Sequence, residues 1–343
     1  MKHSKITSVF LLAVYVCSLG LFPESASAAV PLPITAQSAV LMEGNTQRML
    51  YSKNINEKRA PASTTKLLTA LVVLDYLGLN DVITIPRFVG GIEPSKIYLK
   101  PGEKFYVKDL IRATLVNSAN DAAETLGVAV AGSTQNFADL MNKKAKALGC
   151  DQSRFVRPSG LPAAGQYSTA HDMAMIMNAA QRVPFIVQTL KIKTMNIRSL
   201  NGRNIGLRNH NKMLWKDSRQ VLGKTGWTRT AKHCFVGMIN VGQKQVVVAI
   251  LGSKKIWKDL KKLVDYQFGM AISKVSANRK MWSAFQTKKI QSALKSSGFY
   301  KGGIDGQFGP KTVRAIERFQ SANGLPPDGV VGDSTWNLLE HFA

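Results

Sequence analysis

Histidine, cysteine and acidic residues are all scarce in this chain, and each scarcity narrows what it can do. The five histidines, His3, His171, His210, His233 and His341, show no metal-ligand spacing, which sets a zinc peptidase aside. Of the three cysteines, Cys17 falls in an apolar leader. Cys150 and Cys234 leave two readings open, one disulfide or two buried thiols. Beyond Phe22 no stretch is apolar enough to cross a membrane. Acidic residues number 21 against 46 Lys and Arg, a formal net charge of +25. That excess fits an anionic partner: nucleic acid, a membrane surface or an anionic polymer. A solvated surface that keeps the chain soluble explains it as simply.

Lys2 and Lys5 precede an apolar run from Ile6 to Phe22, and Ala26-Ser27-Ala28 supplies a small-x-small cleavage site. Residues 1–28 therefore read as a secretory signal peptide cut after Ala28. A retained membrane anchor is the alternative, and the short run argues against it. Tyr15-Val16 before Cys17 does not fit a lipoprotein attachment site. Export argues against nucleic acid and leaves an anionic cell-wall polymer as the partner the charge suits.

The full chain, 343 residues and 45% apolar, is long enough for two domains. "SAVLMEGNTQRMLYSKN" reads as a hairpin around Glu43-Gly44-Asn45. Helical patterns follow from Ser63, over Val107–Val116, Phe137–Leu148 and Thr169–Val183. "VLGKTGW" and "VVVAILG" read as strands, and a basic helix runs from Lys255 to Phe268. Strands, then helices, then strands again make an α+β domain over 29–270, with helices inserted into a sheet. A linker is expected over 271–285. Residues 286–343 contain a repeat: Asp305-Gly306-x-x-Gly309-x-x-Thr312 matches Asp328-Gly329-x-x-Gly332-x-x-Thr335. Its glycines suit turns of positive φ, and Pro310 suits a helix start.

Ser63 and Lys66, at i and i+3, share one helical face. A helix N-terminus disfavours a protonated amine, and partial burial adds to that. Lys66 could then take the Ser63 hydroxyl proton and make a nucleophile without histidine. Alone the pattern is weak, since Ser292-Ala-Leu-Lys295 repeats it. Ser-x-Asn also recurs, at Ser118, Ser276 and Ser321. Only Ser63/Lys66, Ser118/Asn120 and then Lys224-Thr225-Gly226 make an ordered set of the type found in penicillin-binding proteins and class A β-lactamases. Ser118 can relay a proton to a leaving amine and Asn120 can hold substrate backbone. Lys224 and Thr225, on an expected edge strand, can bind a carboxylate. Gly226 permits close backbone approach. The N–H of Ser63 and one just after Gly226 can form an oxyanion hole.

With "RAPASTTKLLTAL", "NSANDAAETL", "FVRPSGL", "YSTAHDMAMI" and "RNHNKMLW" around these motifs, residues from about 34 to 270 resemble the serine-type D-alanyl-D-alanine carboxypeptidases, the low-molecular-mass penicillin-binding proteins. The resemblance implies a β-lactamase/transpeptidase-like fold, an antiparallel sheet with an inserted helical subdomain. It implies Ser63 as acylated nucleophile, Lys66 as base and Ser118 as proton relay. Asn120, Lys224, Thr225 and Gly226 would bind substrate, and the N–H groups of Ser63 and Trp227 would form the oxyanion hole. It implies no metal or cofactor. Its partners would be peptidoglycan stem peptides and glycan strands, with β-lactams as covalent inhibitors. Arg157 and Lys232 depart from the pattern, where asparagine and glycine are common. His210, between Asn209 and Asn211, reads as a solvated loop histidine, and His233 and Cys234 as packing.

Residues 286–339 resemble a three-helix peptidoglycan-binding domain, whose Phe299, Tyr300, Phe308, Phe319 and Trp336 read as core. Wall attachment, with no membrane anchor after signal cleavage, is the expectation. Three alternatives remain. A β-lactamase needs an acid that "PSGLPAAGQYST" lacks. An endopeptidase would differ only in what leaves. A non-catalytic wall-binding protein would not be expected to keep an intact motif set.

Overall fold

The computed structural model describes residues 32–216, 220–241 and 244–343. The signal-peptide reading, residues 1–28, lies outside the described residues.

Strands β1 (Ser38–Glu43) and β2 (Met49–Lys53) form the expected hairpin. A 3-10 turn at Ala62–Thr65 leads into α1 (Lys66–Tyr76). Then follow β3 (Val82–Thr84), β4 (Lys104–Tyr106), α2 (Val107–Val116), α3 (Asn120–Ala131), α4 (Thr134–Ala147), α5 (Ala170–Ala180) and α6 (Pro184–Lys191). Next come β5 (Thr194–Arg198), β6 (Asn204–Arg208), α7 (Lys212–Lys216), β7 (Leu222–Thr228), β8 (Lys232–Val241) and β9 (Lys244–Ser253). The chain continues through α8 (Ile256–Met281), α9 (Ala284–Ser296), α10 (Pro310–Ala322) and α11 (Asp333–Leu339).

The main sheet is antiparallel throughout, in the order β2-β1-β9-β8-β7, so β7 is an edge as expected. Its central strands are buried on both faces. Val247, Ala249 and Leu251 of β9 pack into the helical block with Leu67, Leu110 and Met173. Val246, Val248 and Ile250 point the other way, onto Ile256, Leu260, Leu263 and Val264 of α8. Period-two alternation between two apolar layers explains the unbroken run "VVVAIL". The helical block lies between β2 and β7 in sequence. This is the β-lactamase/transpeptidase-like α+β architecture expected.

Several elements differ in detail from the sequence reading. Thr169–Val183 is not one helix: α5 ends at Ala180 and Pro184 opens α6, because proline tolerates a helix start and not its interior. The β5–β6 hairpin has no clear sequence pattern; Ile197, Ile205 and Leu207 reach the core and Met195 packs against it. The basic helix expected to end at Phe268 continues to Met281. The segment read as linker, 271–285, thus includes the end of α8. Asn278 Nδ2 donates to Gly329 O at 2.9 Å, and its Oδ1 accepts from Val331 N at 3.0 Å. Trp282 packs its ring 5.4 Å from that of Trp336.

The helical C-terminal part closes on Ile290, Leu294, Phe308, Ile316, Phe319 and Leu339. Ser283 and Gln286 form a capping box on α9. Gly306 and Gly329 have φ of +74° and +71°, as the DGxxG turns suggest. Gly309 and Gly332 do not: at φ −110° and −89° they are extended residues preceding α10 and α11. Each turn is clasped by one buried glutamine. Gln291 Oε1 accepts from Gly306 N and Gln320 Oε1 from Gly329 N, both at 2.9 Å. The Gln320 amide also donates to Asp328 Oδ1, Val330 O and Thr335 Oγ1.

Candidate active site

The nucleophile turn is held by its neighbours. Ala62 adopts φ +49° and Ser118 φ +59°, conformations L-residues rarely occupy and that cluster at functional sites. A Cβ on Gly226 would lie 3.0 Å from Ser63 N and from Ala62 Cβ. The close approach expected of Gly226 is therefore that of β7 to the nucleophile turn. Gly160, at φ +73°, closes the other side: a Cβ there would lie 2.0 Å from Ala62 O.

Lys66 is fully buried. Its Nζ lies 2.8 Å from Ser63 Oγ, 2.7 Å from Asn120 Oδ1 and 2.5 Å from Ser159 O. Asn120 is oriented by its Nδ2, which donates to Glu93 O at 2.9 Å, so its oxygen faces the lysine. Burial holds the Lys66 amine well below the ordinary lysine range, the Lys224 charge lowers it further, and Glu124 and Asp121 oppose both. Desolvation leads among these causes, and Lys66 is the first residue of α1.

Lys224 is also buried. Its Nζ donates to Ser118 Oγ at 2.8 Å and Thr225 O at 2.7 Å, and burial brings its pKa down to about 7. Its amine faces Ser118, while Thr225 lines the open cleft. That cleft, about 400 Å³, is walled by Ser63, Ser118, Asn120, Thr225, Gly226 and Trp227. The structure so brings together every residue singled out in the motifs: Ser63, Lys66 and Asn120 in one cluster, Ser118 and Lys224 in a second beside it.

Residues outside the motifs join them. Ser159 lies in the "FVRPSGL" stretch, but the atom used is a backbone carbonyl, which no side-chain pattern signals. Its hydroxyl donates to Glu124 Oε1 at 2.5 Å, which Arg157 Nε approaches to 3.3 Å. Arg157 therefore serves as partner to a buried carboxylate. Lys232 has φ +56°, which explains why glycine suits that position. His210 is exposed in the loop before α7, as expected, and it also borders the cleft. Partial desolvation there, then the Lys224 and Lys66 charges, lower its pKa to about 4. Cys150 and Cys234 are both buried free thiols, and burial pushes Cys234 up to about 11. Among the described residues no His, Cys, Asp and Glu cluster could hold a metal, and no helix is long and apolar enough to cross a membrane.

Comparison with known proteins shows the family. Residues 24–255 match the D-alanyl-D-alanine carboxypeptidase family, and residues 286–339 match a peptidoglycan binding domain family. The chain belongs to the D-alanyl-D-alanine carboxypeptidase family, with a peptidoglycan-binding domain after it. A D-alanyl-D-alanine carboxypeptidase of Bacillus subtilis is 32% identical over 242 residues, 68% of this chain and 62% of that protein. The chain thus spans under two thirds of that relative. A D-alanyl-D-alanine endopeptidase of Pseudomonas aeruginosa is 32% identical over 67% of this chain and 75% of its own length. Among solved structures, a Mycobacterium tuberculosis D-alanyl-D-alanine carboxypeptidase superposes with TM-score 0.67 at 31% identity, covering 71% of this chain and 95% of that one. The Streptomyces K15 DD-transpeptidase gives 0.66 at 28% identity, covering 70% and 99%.

Proposed function

We propose that this protein is a serine D,D-carboxypeptidase that removes the terminal D-alanine from peptidoglycan pentapeptide stems through an acyl-enzyme on Ser63. One observation carries the reading. Two partners of Lys66 Nζ, Asn120 Oδ1 and Ser159 O, can only accept hydrogen bonds. A neutral amine has two N–H groups, and these two acceptors take both. Its lone pair is left for Ser63 Oγ, 2.8 Å away.

Ser63 Oγ then attacks the carbonyl of the penultimate D-alanine as its proton passes to Lys66. The N–H groups of Ser63 and Trp227 receive the oxyanion. The C–N bond breaks, and Ser118 passes a proton to the leaving amine, backed by Lys224 at 2.8 Å. Thr225, with Lys224 behind it, holds the departing carboxylate, and Asn120 and Gly226 border the acyl backbone. Water then cleaves the ester and restores Ser63. β-Lactams enter by the same attack and leave slowly, because the leaving amine of the opened ring stays tethered to the acyl group and cannot depart as D-alanine does. Trimming pentapeptides in this way limits cross-linking during wall maturation. The protein acts outside the cytoplasm, on the wall, with its C-terminal domain on peptidoglycan and its basic surface toward anionic wall polymers.

A second reading, endopeptidase cleavage of D-alanyl cross-links, is favoured by the Pseudomonas relative. It uses the same acylation and differs in the leaving amine. The test is intact mass after benzylpenicillin, with peptide mapping and a Ser63→Ala control, then D-alanine release from pentapeptide and from cross-linked dimer. A stable adduct on Ser63 with release from pentapeptide is expected. Rapid drug hydrolysis without adduct would make it a β-lactamase. Neither adduct nor hydrolysis would leave a non-catalytic wall-binding protein.

A further inference from the structure

The positive charge of the chain gathers where acids are missing. Between Asp172 and Asp217 there are eight Lys and Arg and no acidic residue, and the β5–β6 hairpin lies in this stretch. Its register pairs Thr194 with Arg208, Asn196 with Gly206 and Arg198 with Asn204, and all six are exposed. Period-two alternation thus puts two arginines and four short uncharged residues on the solvent side. Beside β5 opens a groove of about 380 Å³, with Lys108 and Arg112 of α2 on one wall and Asn196, Arg198 and Ser199 on the other.

Two features separate this face from an ordinary solvated surface. Carboxylates beside it are already matched: Asp109 pairs with Arg112 at 3.1 Å and Glu103 with Arg203. Among the described residues no carboxylate pairs with Lys108, Lys193, Arg198 or Arg208. Aromatic rings also hold most of the cations in place. The Arg208 guanidinium lies 4.8 Å and Lys193 Nζ 5.8 Å from the ring centre of Trp215. Lys108 Nζ lies 4.6 Å from the Tyr106 ring, and the Arg112 guanidinium 5.5 Å from that of Phe185. A stacked guanidinium keeps its edge for hydrogen bonds, and charges fixed beforehand lose less entropy on binding.

Arg198 and Arg208 stand roughly 14 Å apart at Cα, four residues of strand and one strand spacing. A single small anion does not span them; a polymer of repeating negative charge does. We propose that the β5–β6 face and its groove dock a wall polymer of phosphodiester-linked polyols. Guanidinium forks match phosphate oxygens, and Thr194, Asn196 and Asn204 offer hydrogen bonds to the hydroxyls between them. The outward side chains of both strands are polar, which does not suit insertion into a bilayer. The assignment rests on the reading above that the protein works on the wall. Arg208 N donates to Asn117 Oδ1 at 3.2 Å, beside Ser118, so a docked polymer holds the cleft against the wall.

The test measures binding of poly(glycerol phosphate) to the purified protein by calorimetry, with polygalacturonate and phosphatidylglycerol vesicles as the competing chemistries. Poly(glycerol phosphate) should bind, and more weakly as salt rises. Lys108→Gln/Arg198→Gln and Lys193→Gln/Arg208→Gln each remove two charges from different parts of the face, so a folding fault in one leaves the other. Each should weaken affinity about tenfold. Lys143→Gln/Lys146→Gln removes the same charge from exposed positions on α4 and should change affinity less than about twofold. D-Alanine release from soluble pentapeptide should stay within about twofold in all three. An equal loss of affinity in the α4 variant would make net charge the cause and overturn the face. Tighter binding of polygalacturonate, or binding of vesicles alone, would overturn the phosphodiester partner. Binding of none of the three would overturn the docking surface and leave the carboxypeptidase reading standing. Binding is read apart from catalysis, so a failure to release D-alanine would overturn that reading alone.

Discussion

The chain carries Ser-x-x-Lys twice, at the start of α1 and inside α9. In the first, Lys66 has no exposed surface and its amine sits among Ser63 Oγ, Asn120 Oδ1 and Ser159 O. In the second, Ser292 is half-buried and Lys295 is exposed. Spacing puts both pairs on one helical face. Burial and the surrounding acceptors decide which amine becomes a base. The surroundings differ in the same sense. Around Ser63 two lysines are buried near each other and Ala62 and Ser118 are held at positive φ. In the C-terminal domain two of the buried polar groups are neutral amides, Gln291 and Gln320, with satisfied partners. One region holds arrangements a stable core avoids; the glutamine clasps of the other are of the kind a stable core uses.

The comparison breaks most sharply at Ser63. Ser63→Ala should lower acylation by about 10⁶, while unfolding free energy moves by less than about 1 kcal/mol. Stopped-flow acylation and urea unfolding measure the two, and residual acylation at near-normal rate would place the nucleophile elsewhere. Gly226→Ala comes next. Its methyl would press on Ser63 N and Ala62 Cβ from 3.0 Å and shift the nucleophile turn. A loss of about 10²-fold in acylation is expected, with about 1–3 kcal/mol of stability. An unchanged rate would show that this contact does not position Ser63.

How much of the site is legible in the sequence follows from the kind of atom each role uses. In the proposed mechanism Ser63, Lys66, Ser118, Asn120, Thr225 and Lys224 act through side chains at fixed spacing, and a sequence displays side chains. Ser159 acts through its carbonyl, which every residue has. The depth of Lys66 is out of reach for another reason. It depends on Gly160, in a loop, and Gly226, on β7, closing on the Ser63 turn from positions far apart in sequence. The β1–β2 hairpin and α2 are readable because alternation and helical periodicity are local. Positive φ is found at Gly306 and Gly329 and not at Gly309 and Gly332, since a turn motif does not say which of its glycines takes the left-handed position. The Gln clasps have a signal, Gln-Ser-Ala at 291–293 and again at 320–322, which extends the DGxxG repeat.

Electrostatics sharpens the comparison further. The Lys224 charge is the second cause, after burial, of the lowered Lys66 pKa. Lys224→Gln removes that charge, so Lys66 becomes easier to protonate and its pKa rises. The acid limb of acylation, set by the fraction of neutral Lys66, should move to higher pH. A pH profile of β-lactam acylation reads this directly; a limb that stays put or moves down would mean another group sets it. Gln320→Leu tests the opposite region. It strips partners from Gly329 N, Val330 O and Thr335 Oγ1 and should cost about 2–4 kcal/mol in the unfolding of the C-terminal domain. Acylation of Ser63 should stay within about twofold of normal.

The smallest effect belongs to the second Ser-x-x-Lys. If spacing alone made a nucleophile, Lys295→Ala would remove a reactive serine at Ser292, and benzylpenicillin would label two sites in the unaltered protein. Neither is expected. Lys295 is exposed on α9, where its side chain lies in water. No wall of acceptors fixes it toward Ser292, and no strand edge supplies an oxyanion site. Lys295→Ala should therefore leave acylation and the labelled peptide unchanged and shift stability by less than about 0.5 kcal/mol. A penicilloyl adduct on Ser292 would mean that an exposed Ser-Lys pair suffices for the chemistry, and burial could then no longer be what makes Lys66 a base.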